Sequence, residues 1–278
     1  MRPEANGIRG RTAGFTLAEL AIVMVIVSLL LGGMMAMVTA QTEQRKWNDT
    51  QNRIETARDA ILGYAIVNGR LPCPANSTSA GAEVRQSGTS AFPYSCGAEN
   101  DNPAVKSYNY YGGVDSGVTY GLLPAATIGF QPVDSQGFGL DPWGNRIRYA
   151  LSSKFSVSSP TTTNFTEASV LKTSGISFQP NDLVVCSTSP ATVTNTTCDA
   201  NTSVTNQNTV VAIIFSVGKN GATGGTGTNE ARNLDANALF VSRTPDPDGA
   251  TGGEFDDQVL WISVGTLYSK LITAGVLP

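Results

Sequence analysis

Residues 14–42 read GFTLAELAIVMVIVSLLLGGMMAMVTAQT, and this stretch decides the fold. From residue 20 to residue 42 no side chain is charged. As a helix that run is about 34 Å long, enough to cross a bilayer core. Residues 1–14, MRPEANGIRGRTAG, are short, basic and lack an apolar stretch. Their arginines belong on the cytoplasmic side, which leaves the C-terminal bulk outside. Glu19 stands out. A carboxylate at the centre of a membrane helix costs roughly 2.5–3.5 kcal/mol, less near an end, and usually marks function. Two plainer readings compete: a secretory signal peptide cut after Val38-Thr39-Ala40, or a simple signal anchor. The run is too long for an ordinary signal peptide, and neither reading accounts for Glu19.

Gly14-Phe15-Thr16-Leu17-Ala18-Glu19-Leu20 resembles the cleavage motif of type IV prepilins. The resemblance implies that an aspartyl prepilin peptidase cuts between Gly14 and Phe15, and that Phe15 is then N-methylated. Glu19 becomes the fifth mature residue. Its carboxylate can neutralise the new amine, in its own subunit or in a neighbour, and neither charge is tolerable there alone. The implied fold is α+β and type IV pilin-like: a long N-terminal helix packed on a mainly antiparallel β-sheet head. The implied organisation is a leader at 1–14, a transmembrane and amphipathic helix at 15–68, and a periplasmic or extracellular head at 69–278. The implied partners are other pilin or pseudopilin subunits, the prepilin peptidase, the membrane, and an inner-membrane platform with its assembly ATPase.

Beyond the apolar run the helical pattern continues. Glu43, Trp47, Thr50, Ile54, Ala57, Ile61 and Tyr64 recur at alternating spacings of four and three, which makes one face of a helix. This face is expected to pack on the head. Gly69 and the Pro72/Pro74 pair are expected to end the helix.

Composition narrows the function. Only 14% of residues are charged, against roughly 25% in an average soluble domain. The net charge is −4; residues 1–14 carry +2, so the rest carries −6. No nucleic-acid partner is expected of such a chain. There is no histidine. Ser-His-Asp and Cys-His catalysis, histidine-ligated zinc and histidine pH switches are therefore excluded. The chain is not expected to be an enzyme. Cys73, Cys96, Cys186 and Cys198 fall as two local pairs without C-x-x-C spacing. In an oxidising compartment Cys73–Cys96 and Cys186–Cys198 are the natural bridges among three connectivities. Each would contribute about 3 kcal/mol in the chain-entropy model.

In the head, strand-like runs occur at 107–111, 118–123, 146–151, 183–186, 210–217, 239–242 and 259–263, separated by turn residues. Val264, Leu267, Tyr268, Leu271 and Ile272 predict a short closing helix. The stretches 152–177 and 187–208, rich in Ser, Thr and Asn, read as surface insertions. Asp141-Pro142-Trp143-Gly144-Asn145-Arg146 is similar to a D-x-W-G-N segment of the major pseudopilins of type II secretion. Ser216-Val217-Gly218-Lys219-Asn220-Gly221 and Phe255-Asp256-Asp257-Gln258-Val259-Leu260-Trp261 are similar to later segments of the same proteins. Read from chemistry alone, the first is a tight turn with an aromatic folded under it and the second a hairpin turn. Major pseudopilins bind calcium near the last two segments. Asp246, Asp248, Glu254, Asp256 and Asp257 cluster there and are the candidate ligands, since calcium takes six to eight oxygens. Asn220 stands where those proteins often have aspartate. The functional expectation is a structural subunit of a type II secretion or type IV pilus filament. The alternative is a binding or adhesion module at the tip of a pilus.

Overall fold

The structure is a computed structural model. It describes residues 14, 16–85, 96, 110–153, 165–191, 197–221, 225, 227–247, 249 and 252–277, with the side chains of 33–37 outside that set. Helix α1, Leu17–Asn68, is continuous. The chain divides into two compact units, Met1–Lys46 and Trp47–Pro278. In the first unit the described side chains of residues 16–32 are exposed. Among the described residues no helix is long and apolar enough to cross a membrane; the uncharged run of the sequence includes 33–37.

The second unit is built on a three-stranded antiparallel sheet. Strands β3 (Arg148–Leu151), β5 (Val210–Ser216) and β7 (Gln258–Ser263) lie in the order β3-β5-β7. All seven residues of β5 are buried. Its near-continuous apolar run is what a strand covered on both faces requires. Alternation divides the neighbouring side chains between two cores. Tyr149, Leu151, Ala212, Ile214 and Ile262 join one core, with Ile54, Ala57, Ile61, Leu62 and Ala65 of α1. Ala150, Ile213 and Phe215 join the other, with Leu183, Val185, Ala238 and Phe240. The helical stripe therefore packs on the sheet, as its spacing predicts. Within it Tyr64 is only half-buried, and Glu43 is exposed in the first unit. The helix α5 (Val264–Thr273) closes the first core through Leu267, Tyr268 and Leu271, and is capped by Ser263, whose Oγ accepts from Thr266 N.

Several details depart from the sequence reading. The second face of the sheet is covered by a parallel pair, β4 (Val184–Cys186) with β6 (Leu239–Val241). Parallel strands need a long crossover, and here the connection runs through β5 itself. Residues 107–109 lie outside the described set, and Tyr110 and Tyr111 form no strand. Instead β1 (Gly113–Asp115) pairs with β2 (Val118–Tyr120) across Ser116 and Gly117, both with positive φ. The stretch 152–177 is not simply a surface insertion. Its residues 154–164 lie outside the described set. Ser152, Phe165, Thr166 and Leu171 are fully buried, the last on helix α3 (Ala168–Ser174). Buried Asp182 accepts from Ser152 Oγ, Ser153 N, Leu183 N and Tyr111 OH, so it fastens both ends of this excursion. A short helix α2, Ala125–Ile128, also escapes the sequence pattern.

The end of α1 is fixed by Gly69, at φ 67°, whose N donates to Ala65 O at 2.8 Å. A Cβ there would lie 3.3 Å from that of Ala168. Beside it Glu83 forms a fork with Arg70, at 2.9 and 2.7 Å, and accepts from Cys73 N and Tyr64 OH. The bridge Cys73–Cys96, with Cα atoms 5.4 Å apart, holds the same region. Burial alone would raise the Glu83 pKa, but the bonds from Arg70 and Cys73 hold it below the usual value. A depressed folded-state pKa stabilises above the unfolded value and is lost as pH falls through the folded one. Unfolding midpoints of the full chain in detergent should therefore drop as pH falls below about 4.3. In Glu83→Gln that acid-dependent drop should be smaller; an unchanged acid limb would show that Glu83 does not carry it.

Candidate functional site

Two places gather the residues singled out from sequence. At the N-terminus Thr16 is the residue before α1. Its Oγ1 accepts from Glu19 N at 3.2 Å, while Glu19 Oε2 accepts from Thr16 N and Thr16 Oγ1, both at 2.9 Å. This is a capping box, in which two helix-end donors are satisfied reciprocally. Glu19 thus has a local role in its own helix. Thr16 is a residue not singled out above, although T-x-x-E before an apolar run is the signature of this device. Gly14 is exposed. Phe15 lies outside the described residues.

In the head the three segments quoted above meet. Asp141, 2% exposed, accepts from Trp143 N and Asn145 N on Oδ1 and from Ser216 Oγ on Oδ2, at 2.7–2.9 Å. Asn145 Nδ2 donates to Gly218 O at 2.6 Å, and Gly218 N to Ser216 Oγ at 3.2 Å. Asp256 Oδ2 accepts from Lys219 N and Asn220 N at 2.8 and 3.2 Å. Each carboxylate collects backbone donors that the turn leaves orphaned. Trp143 is half-buried. Lys219-Asn220-Gly221 is a turn but not a hairpin: the strand that follows, β6, pairs with β4, and β5 pairs with β3 and β7.

Beyond this lock lie the carboxylates. Oxygens of Glu230, Asp256 and Asp257 lie within 4.8 Å of one another. Glu230, on helix α4 (Thr228–Arg232), is 1% exposed. Its Oε1 and Oε2 accept from Asn220 Nδ2 at 3.1 and 2.9 Å, and Oε1 accepts from Asp256 N at 2.9 Å. Glu254 Oε2 is 3.5 Å from Asn220 Nδ2. Asp257, 4% exposed, accepts from Asn233 Nδ2 at 2.7 Å. Burial pushes Asp256 up to about 6; bonds from Lys219 and Asn220 oppose this, and repulsion from Glu230 and Glu254 adds to it. Burial likewise raises Asp257 well above the usual carboxylate range, helped by Glu230 and Asp256 and opposed by Asn233 and Arg148.

Of the five carboxylates expected to cluster, the structure brings Asp256 and Asp257 together and leaves Glu254 close by. Asp246 does not join them. It pairs with Arg243 at 2.5 Å, and its backbone bridges to Phe255. Asp248 lies outside the described residues. Glu230 was missed, because nothing in its local sequence distinguishes it from a surface helix glutamate. The second bridge, Cys186–Cys198, is present.

The residues fit a hard divalent cation on three counts. All the side-chain donors are oxygens. Asp256 Oδ1 is buried with no hydrogen-bond partner. The glycines make room for the carboxylates: a Cβ on Gly218 would lie 2.0 Å from Asp256 Oδ1, and one on Gly225 2.6 Å from Glu230 Oε2.

Residues 9–35 match the prokaryotic N-terminal methylation motif. That motif supports a type IV pilin-like protein. Proteins bearing it are structural subunits rather than enzymes, are processed by prepilin peptidase, and are anchored in bacterial membranes. No curated protein and no solved structure matches the chain.

Gly218, at φ 61°, faces both the side chain and the backbone oxygen of Asp256. Gly218→Ala should lower stability by roughly 1–3 kcal/mol. Gly129→Ala, at φ 69° with nothing within 4 Å, should cost less. Chemical denaturation of both variants measures the difference, and equal losses would remove the steric role of Asp256.

Proposed function

We propose that this chain is a structural subunit of a type II secretion or type IV pilus filament, most like a pseudopilin in its head. The observation that carries this is the match at 9–35 together with the Thr16–Glu19 cap at the head of an uncharged helical run. In this reading the leader is removed between Gly14 and Phe15, and Phe15 is methylated. The apolar part of α1 holds the subunit in the inner membrane with the head outside. Assembly transfers that apolar surface from lipid to the helices of neighbouring subunits. The Glu19 carboxylate compensates a Phe15 amine in the stack, trading part of its bonding to Thr16 for a charge partner. A platform and ATPase supply the work. The interlock of Asp141, Ser216, Gly218 and Asp256 supports the pseudopilin-like reading, since it gives the three resembling segments one physical purpose.

A second reading makes the head a binding module at the filament tip. The added parallel layer, braced by Cys186–Cys198, favours it by enlarging the head beyond what the helix-packed sheet needs. Copies per filament separate the two: many indicate a building subunit, few a tip.

The head also takes calcium in this proposal, held by Asp256 and Asp257 with Glu254 alongside. A cation there would relieve the repulsion among buried carboxylates and stiffen the 216–221 turn. Calcium should raise the melting temperature of the full chain in detergent, and EGTA should reverse the rise. A melting temperature that calcium leaves unchanged removes calcium from the proposal.

Processing provides the direct test of the anchor. Gly14→Ala should leave the precursor uncut when expressed with a prepilin peptidase, as read by mass spectrometry. Glu19→Ala should be cut normally but enter filaments poorly. Normal filament incorporation of both variants would overturn the pilin-like reading.

A further inference from the structure

Glu230 belongs to none of the three resembling segments. It sits on α4, after the glycine-rich 222–227 stretch, yet its carboxylate meets those of Asp256 and Asp257. Three carboxylates so close, Glu230 and Asp257 buried and Asp256 half-buried, repel one another unless protons or a cation intervene. The chain brings them together all the same. Gly225 admits Glu230 Oε2, Gly218 admits Asp256 Oδ1, and Asp256 N donates to Glu230 Oε1. A side chain at either glycine would fill the space the carboxylate uses.

What α4 leads to makes the convergence consequential. Asn233 follows it directly. Its Nδ2 donates to Asp257 Oδ2 at 2.7 Å and to Val241 O at 3.1 Å, and its Oδ1 accepts from Val241 N at 2.7 Å. Val241 ends β6, the strand that pairs with β4 to cover the second face of the sheet. A ligand on α4 is thus one side chain removed from that layer.

On the basis of the calcium reading above, we infer that Glu230 is a third carboxylate ligand of the cation, so that occupancy clamps α4, and through Asn233 strand β6, onto the ends of β5 and β7. Calcium favours such a set because its coordination is flexible and accepts carboxylates in either denticity. Without the cation, the Asn220 amide takes both oxygens of Glu230. Oε2 has two lone pairs, so it can accept this bond and still meet a cation. Asn233 is a positioning residue in this scheme and contacts the cation only through Asp257.

The test uses the full-length chain in detergent, stripped with EGTA and titrated with calcium. Affinity is read by calorimetry and local order by hydrogen exchange at amides 228–241. Wild type should bind, and exchange at 228–241 should slow. Asp256→Asn should lose both effects. Glu230→Gln keeps an oxygen to accept from Asp256 N, so it should fold, yet bind calcium at least about tenfold more weakly and lose the protection at 228–241. Glu230→Gln that binds like wild type overturns the inference and leaves the calcium reading standing. Wild type that binds no calcium overturns both. Should Glu230→Gln not fold, wild type alone decides: slowing that extends over 228–241 supports the clamp, and slowing confined to 218–221 and 255–257 overturns it.

Discussion

Strand β5 has to be covered on both faces, because all seven of its residues are buried. The two layers of the head follow from that requirement. On one side the stripe of α1 from Thr50 to Ala65 meets Ala212 and Ile214, with α5 closing the flank. On the other, β4 and β6 lay Val185 and Phe240 over Ile213 and Phe215. The aromatic pair Phe215–Phe240, with centroids 5.5 Å apart, joins sheet to layer. The C-terminal end of the strand is Ser216, the first residue of the turn where the three resembling segments meet.

Among the described residues, two groups of buried and half-buried carboxylates contrast, with Glu167 standing apart from both. Asp141, Asp182 and Glu83 are each surrounded by several donors, from serine, tyrosine, arginine or the backbone. Such groups join segments far apart in sequence because an acid in the interior is stable only when its lone pairs are filled. Glu230, Asp256 and Asp257 also accept hydrogen bonds, from Asn220, Asn233 and backbone amides, but they differ in arrangement. They face one another, and one oxygen of Asp256 is buried without a donor. The contrast within one fold is the physical reason to read the first group as fasteners and the second as a place for a cation.

At the other end of the chain, Glu19 has a local role, and the proposed filament gives it a second. In the single subunit it closes a capping box with Thr16, which offsets part of the cost of a carboxylate beside an apolar run. In the proposed filament the same oxygens meet an amine.

Local chemistry was legible wherever the physics is local. The uncharged run, the T-x-x-E cap, the stripe ending at Tyr64, the stop at Gly69, the strand cores at 146–151, 210–217 and 259–263, and the closing helix all appear in the sequence through spacing and residue type. Strand direction did not, because β4 and β6 are three-residue runs and a short apolar run looks the same in either orientation. Nor did the burial of Phe165 and Leu171, which polar neighbours disguise as surface. The carboxylate site divides along the same line. Asp256 and Asp257 stand out as a pair in the chain, but Asp246 is drawn off by Arg243 and Glu230 is brought in from helix α4. Periodicity and charge along the chain were enough to give the long helix and its buried face, because both are properties of neighbouring residues. Which carboxylates meet was settled by the folded chain alone, because it depends on glycines such as Gly218 and Gly225 leaving open the space that the carboxylates of distant segments occupy.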